Sequence, residues 1–218
     1  RQSKNYTGQI VHTHRIPEQA ARYAEPRQPL SPGCQRLLHG MGIERLYTHQ
    51  AQAVDAVRHG RDILVTTSTA SGKTVGYLLP IFARLEAQPD ARTLTIYPTK
   101  ALAQDQLRVF QRAREAAGLG EPLIGVFDGD TPSAQRRQLR DGASVILTNP
   151  DMLHASILPT HPRWADFFAK LSFVVVDEIH AYTGLLGANV ANLFRRLARL
   201  CRHYGSAPQF LASSATIA

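Results

Sequence analysis

At 218 residues, 44% of them hydrophobic, the chain is long enough to bury a full core and fits one domain plus an extension. No apolar run approaches a membrane span and the start, Arg1-Gln2-Ser3-Lys4-Asn5-Tyr6, lacks the apolar core of a signal peptide. The only cysteines, Cys34 and Cys201, form neither a disulfide framework nor a zinc-ligand spacing, which fits a reducing cytosol. The net charge of +8, with 25 basic residues, most of them Arg, favours a polyanionic partner, because guanidinium pairs with phosphate better than ammonium does; genome composition is the competing reading. The absence of an initiator Met marks the chain as an expected fragment.

In chain order, residues 1–32 hold four prolines and no sustained period, as expected of an extended arm laid on a domain. His12 and His14 lack a third ligand nearby and read as exposed polar residues. A short helix is predicted over Leu30 to Met41, capped by Ser31 with Pro32 at its first position, and broken by Gly40 and Gly42. Thr48 is the expected cap of a helix from His49 to Arg58. Six short apolar runs read as strands: Ile63 to Thr66, Thr93 to Tyr97, Leu123 to Phe127, Val145 to Thr148, Phe173 to Asp177 and Gln209 to Ser213. Helical patterns over Val75–Ala87, Lys100–Ala117, Ser133–Arg140, Met152–Ile157 and Ala188–Tyr204 separate most of them. Alternating strands and helices predict an α/β fold, a parallel sheet with helices on both faces, and ligands beyond the carboxyl ends of its strands. The polar clusters 66–74, 98–104, 128–130, 148–151, 177–180 and 213–216 all lie at such ends.

Two of those clusters carry a specific chemistry. Thr67-Ser68-Thr69-Ala70-Ser71-Gly72-Lys73-Thr74 stands between a strand and a helix, the context of a phosphate-binding loop. Unpaired N–H groups and the positive dipole end of a helix start attract an anion. Lys73 adds a mobile charge and Thr74 a hydroxyl suited to Mg²⁺. The usual first glycine is replaced by Thr67, and a Gly-Lys-Thr alone also fits an ordinary loop. Asp177 and Glu178 end a buried strand: an ion held by Thr74 and Asp177 would offset the buried acid, leaving Glu178 to take a proton from an attacking water. The competing reading is an acid pair capping a turn. Gln50 offers a donor and an acceptor that match an adenine edge, although a lone Gln is more often a surface residue. Arg195, Arg199 and Arg202 share one helix face and read as solvated, Arg136, Arg137 and Arg140 stay ambiguous, and Trp164, Phe167 and Phe168 read as core before base-stacking residues.

Asp177-Glu178-Ile179-His180 resembles the DExH box of superfamily 2 helicases, and further motifs match in order across most of the chain. Gln50 resembles the family's adenine-recognising glutamine. Thr67 to Thr74 resembles motif I, where the first glycine is often missing. Pro98 to Asp105, Asp128-Gly129-Asp130 and Thr148 to Met152 resemble strand-contacting motifs, and Ser214-Ala215-Thr216 resembles the motif that couples hydrolysis to movement. Pro98–Gln106, Thr148–Leu153, Cys201–Ser206 and Gly8-Gln9-Ile10-Val11-His12 are similar to the YprA/MrfA-type branch, DNA helicases linked to repair that move 3′ to 5′.

The resemblance implies a RecA-like lobe over 46–218, preceded by an arm and short helix over 1–45. It implies ATP and Mg²⁺ as cofactors, with Lys73, Asp177, Glu178 and His180 catalytic, and Gln50, Thr69, Ala70, Ser71, Gly72, Lys73 and Thr74 holding nucleotide. Thr74 and Asp177 would hold the metal. Thr99, Lys100, Gly129, Thr148 and Asn149 would touch the sugar-phosphate backbone without reading sequence, and Ser214 and Thr216 would couple. The partners are single-stranded or partly duplex DNA and a second RecA-like lobe of the parent chain, with no membrane and no zinc, in the cytoplasm near the nucleoid. Lacking that lobe and its arginine fingers, the chain alone is expected to bind ATP weakly, hydrolyse it very slowly and not unwind. An RNA helicase and a nucleotide-dependent switch ATPase remain as alternatives; the intact Lys73, Thr74, Asp177 and Glu178 argue against a binding module with a dead site.

Overall fold

The computed structural model describes residues 12, 20–67, 72–120 and 122–215. Residues 8–11 of the branch element, His14, Thr69, Ala70, Ser71 and Thr216 lie outside the described residues.

All six strands pair in parallel in one sheet, in the order β1-β6-β5-β2-β4-β3. They are β1 (Ile63–Thr66), β2 (Arg92–Ile96), β3 (Leu123–Val126), β4 (Ala143–Thr148), β5 (Leu171–Val176) and β6 (Gln209–Ser214). The central strands are apolar on both faces, and their side chains alternate between two cores. Phe173, Val175, Val145 and Leu147 point into one, with Leu78, Phe82 and Phe110. Val174, Val176, Ile146, Leu94 and Ile96 point into the other, with Trp164, Phe168, Leu193 and Leu197.

Helices α1 (Pro32–Gly40), α2 (Thr48–Arg58), α3 (Lys73–Ala87) and α4 (Lys100–Ala117) bury residues in the first core. α5 (Ser133–Gly142), α7 (Ala165–Ala169) and α8 (Gly184–His203) bury residues in the second. Between β4 and α7 the chain makes a single turn, α6 (Pro150–Met152), which runs on as a π-helical segment through Ile157. Trp164, Phe167 and Phe168 are core residues, at 3%, 2% and 0% exposure. Arg195, Arg199 and Arg202 are exposed.

α1 begins as expected: the Ser31 hydroxyl accepts from Cys34 N at 3.3 Å. It is tied to α4 by the Arg36 guanidinium, which donates twice to Ala117 O. The cap of α2 differs from the expectation. Helix α2 starts at Thr48, with Tyr47 as its cap residue, because the Gln50 carbonyl reaches back to accept from Tyr47 N at 2.9 Å. Thr48 instead donates its hydroxyl to Arg22 O. Residues 22–29 lie along α2: Thr48 N pairs with Arg22 O and Ala24 N with Leu46 O near its start, while Asp55 accepts from Arg27 N and Arg58 donates to Gln28 O and Pro29 O near its end.

Among the described residues, no helix is long and apolar enough to cross a membrane. No three His, Cys, Asp or Glu among them gather as a metal site.

Candidate active site

The strand order divides the carboxyl edge of the sheet in two. β1, β6 and β5 set the loop before Lys73, the Ser213-Ser214 pair and the Asp177-Glu178 pair side by side. β2, β4 and β3 carry Thr99-Lys100, Thr148-Asn149 and Asp128-Gly129. Neighbouring strands lie about 4.8 Å apart, so the second set forms a row roughly 10 Å long.

In the first half, Thr67 N donates to Ser214 O, keeping the loop on the sheet as it leaves β1. Gly72 has a φ of 72°, left-handed backbone that disfavours any other residue. A Cβ there would stand 2.7 Å from Gln50 Nε2, so any other residue would also push the Gln50 amide aside. Gly72 caps α3 with no side-chain hydrogen bond, and no acid occupies the first turn. The helix start is therefore electropositive and suited to an anion. Lys73 is 9% exposed, and its ammonium bends back to donate to Thr67 O at 3.0 Å.

The Gln50 amide is buried and already used on both sides: Nε2 donates to Gly72 O at 2.9 Å while Oε1 accepts from Tyr47 N. One N–H and one lone pair remain for another partner. Beside it Tyr23, Tyr47 and His49 stack in series, with ring centroids 5.3 and 5.7 Å apart. Arg45 lies over the Tyr23 ring.

Asp177 is 5% exposed, and three donors satisfy its carboxylate. Oδ1 accepts from Glu178 N and from the Ser213 hydroxyl, and Oδ2 accepts from the Tyr77 phenol at 3.2 Å. The sequence reading gave the buried acid only a cation for compensation; hydroxyls of the protein supply part of it. Burial, then the neighbouring Tyr97 and Asp177, push the Tyr77 phenol well above its usual range, so it stays a protonated donor. Burial, then Asp177, does the same to Tyr97. Tyr77 stands three residues beyond Thr74 on α3, so its phenol ties the helix that carries Thr74 to the Asp177 carboxylate.

Glu178 is the only non-glycine among the described residues with positive φ, at 50°. That conformation costs about 1–2 kcal/mol for an L residue. It turns the chain sharply after the buried Asp177 and leaves the Glu178 side chain 31% exposed. Its Oε2 lies 3.2 Å from His180 Nδ1. Ala215 N donates to that same nitrogen at 3.3 Å, and the Ser214 hydroxyl is 3.5 Å away. One ring nitrogen cannot serve both neighbours: as a lone pair it accepts from Ala215, and as an N–H it donates to Glu178. His180 thus links the acid pair to the end of β6.

In the second half, Thr99 is exposed and caps α4 by accepting from Leu102 N. Lys100 pairs with Asp130 at 2.9 Å, and that bond raises its pKa. A Cβ on Gly129 would come within 3.2 Å of Lys100 Nζ, so these two expected contact residues do meet. Arg136 donates to the carbonyls of Asp128, Gly129 and Thr131, wrapping the loop that carries them. Asn149 caps α6 through Met152 N. Thr148 departs from the expectation: it is 1% exposed and its hydroxyl donates inward to Phe127 O at 2.7 Å, so it supports the wall and presents no hydroxyl outside.

Sequence reasoning missed Tyr77 and the Tyr23–Tyr47–His49 stack, gave Ser213 no role beyond its place in the cluster 213–216, and left Arg136 ambiguous. Tyr77 alone had a signal, a phenol four residues after Lys73 on an otherwise apolar helix.

A two-faced parallel sheet, with a glycine-lysine-threonine loop after its first strand and an acid pair one strand beyond β6, defines a RecA-like nucleotide-binding lobe. The DEAD/DEAH box helicase profile matches residues 47–218, and the chain belongs to that family. Within it the likeness is to the YprA/MrfA type. The chain is 41% identical over 209 residues to the ATP-dependent helicase YprA of Bacillus subtilis, covering 96% of this chain and 28% of YprA. It is 42% identical over 215 residues to the ATP-dependent helicase HRQ1 of Saccharomyces cerevisiae, covering 97% of this chain and 20% of HRQ1. The crystal structure of the DUF1998 helicase MrfA bound to DNA and AMPPNP matches with a TM-score of 0.90 at 41% identity, over 94% of this chain and 29% of that one. The chain thus spans less than a third of each of these relatives.

Proposed function

We propose that this chain is the ATP-binding lobe of an ATP-dependent DNA helicase that moves 3′ to 5′ and serves DNA repair. One observation carries the reading: the Lys73-Thr74 helix start and the Asp177-Glu178 pair converge across β6, beside a polar row at the ends of β2, β3 and β4. Polarity and repair rest on the resemblance to the YprA/MrfA branch alone.

The donor set fits Mg-ATP. Thr74 and Asp177 offer the hard oxygen ligands that Mg²⁺ prefers, and two protein ligands suit an ion that completes its shell with phosphate and water. Mg-ATP supplies the phosphoryl group whose hydrolysis drives movement. Lys73 and the N–H groups at the start of α3 hold the phosphates, and Thr69, Ala70 and Ser71 complete that loop. Gln50 uses its remaining N–H and lone pair on the adenine edge. Glu178, on the left-handed turn after Asp177, accepts the proton of the attacking water. His180 passes the state of Glu178 to Ser214, Ala215 and, one residue on, Thr216.

Thr99, Lys100, Gly129 and Asn149 hold the sugar-phosphate backbone of a single strand, with helix starts at α4 and α6 beside it. A phosphate reaching Lys100 displaces the exposed Asp130 carboxylate. The domain boundary falls near residue 45, between the N-terminal extension with its helix α1 and the lobe of 46–218. The remainder of the full-length protein supplies the second lobe, and the protein works in the cytoplasm near the nucleoid.

The test is ATP turnover by the full-length protein with single-stranded DNA, with single-stranded RNA and with neither. Stimulation by DNA is expected. Stimulation by RNA alone would replace the substrate, and indifference to both would leave a switch ATPase.

A further inference from the structure

The Tyr77 phenol joins the helix that carries Thr74 to the Asp177 carboxylate. It is three residues beyond Thr74 on α3, hence on the same helix face, and is 3% exposed. Its ring stacks on Phe110, with centroids 6.5 Å apart and planes at 23°, and Phe110 is fully buried. The ring is therefore held by packing and its hydroxyl has one fixed position.

The direction of the hydrogen bonds follows from the groups. A carboxylate only accepts, so Tyr77 donates to Asp177 Oδ2. The bond ties α3, which carries Thr74 one turn earlier, to the carboxylate at the end of β5. Glu178 N and the Ser213 hydroxyl meanwhile pin the other carboxylate oxygen. A phenylalanine would fill the same volume and do none of this.

We propose that Tyr77 is a positioning residue that holds the Asp177 carboxylate in a fixed place relative to the helix start that carries Thr74, and so sets the preference of the site for Mg²⁺ over larger divalent ions. The inference rests on Thr74 and Asp177 being the metal ligands. Mg²⁺ demands near-ideal octahedral geometry with oxygens at about 2.0–2.1 Å, whereas Ca²⁺ accepts irregular shells at about 2.3–2.6 Å. A fixed pair of ligands favours the small ion, and a loosened pair loses more for Mg²⁺ than for Ca²⁺.

The experiment uses Tyr77→Phe in the full-length protein. Binding of a fluorescent, non-hydrolysable ATP analogue is titrated with Mg²⁺, with Ca²⁺, and in chelator without either. The half-saturating Mg²⁺ concentration is expected to rise about tenfold or more, the usual size for a partner that orients a metal ligand, with a much smaller change for Ca²⁺. Ion-free nucleotide binding should stay near wild type, while the donor lost from a buried carboxylate lowers the melting temperature by a few degrees. An unchanged Mg²⁺ requirement overturns the proposal, as does an equal weakening for both ions and for ion-free binding, which would mark Tyr77 as packing only. Thr74→Ala and Asp177→Asn separate the premise from the inference: if neither alters the Mg²⁺ requirement, the ligand assignment fails and the proposal with it. If both do and Tyr77→Phe does not, only the proposal fails.

Discussion

Gln50→Ala tests how the nucleotide loop is held. The amide is 2% exposed and joins two elements: its carbonyl accepts from Tyr47 N at the start of α2, and its N–H donates to Gly72 O at the start of α3. Alanine leaves a half-buried N–H and a half-buried carbonyl without these partners. At about 1–3 kcal/mol for each group left unsatisfied, discounted for the water that can reach them, the loss is about 2–4 kcal/mol. For a chain of this size, each kcal/mol lowers the melting temperature by about 2–4 °C, so a fall of roughly 4–16 °C is expected by differential scanning fluorimetry. Gln50→Glu keeps the acceptor for Tyr47 but turns an oxygen towards the Gly72 carbonyl. It should retain the start of α2, lose the tie to the loop, and weaken ATP binding more than it lowers the melting temperature. A Gln50→Ala protein that melts within a degree of wild type and binds ATP normally would refute the reasoning.

Three further outcomes follow from the site. Lys73→Ala in the full-length protein should abolish binding of a labelled ATP analogue, measured by fluorescence anisotropy; near-normal binding would remove Lys73 from the phosphate site. Glu178→Gln should bind ATP as wild type does but turn it over about 10²–10⁴-fold more slowly in a phosphate-release assay, since the amide cannot take the proton. Normal turnover would show that another group is the base. The Tyr182 hydroxyl is buried and has no hydrogen-bond partner among the described residues, and burial, then Asp177 and Asp151, raise its pKa. Tyr182→Phe should therefore leave the melting temperature unchanged or raise it, by up to about 1 kcal/mol of stability; a fall of several degrees would mean that the hydroxyl is bonded.

The strands were legible because a sheet covered on both faces needs apolar side chains at nearly every position, and such runs stand out between polar turns. The boundaries of β4 and α8 were less so. Ala143 and Ser144 extend the buried strand with little apolar signature, and Gly184 and Gly187, both of low helical preference, stand in the first turn of the helix. The α2 cap was misplaced because Thr48 carries the usual capping group, whereas the bond that decides the start comes from Gln50 two residues on. Trp164, Phe167 and Phe168 left two readings open, and burial in the second core decides between them.

Lys73, Thr74, Asp177 and Glu178 were readable because each pair is contiguous and ends or begins a regular element. The hydroxyls that hold Asp177 were not. Ser213 meets it only because β6 inserts beside β5, and Tyr77 only because α3 brings it under the carboxylate across 100 residues of chain. No local pattern states a strand order. Thr148 shows the converse: its motif placed it on the outer row, but it is the last residue of a strand and its hydroxyl turns inward.

The most direct measurement is a crystal structure of the full-length protein with AMPPNP and Mg²⁺. The expected result has the phosphates on the first turn of α3 in contact with the Lys73 ammonium, and a cation about 2.1 Å from the Thr74 hydroxyl on the side facing Asp177. A nucleotide bound elsewhere, or phosphates on that helix start with no cation between Thr74 and Asp177, would contradict it.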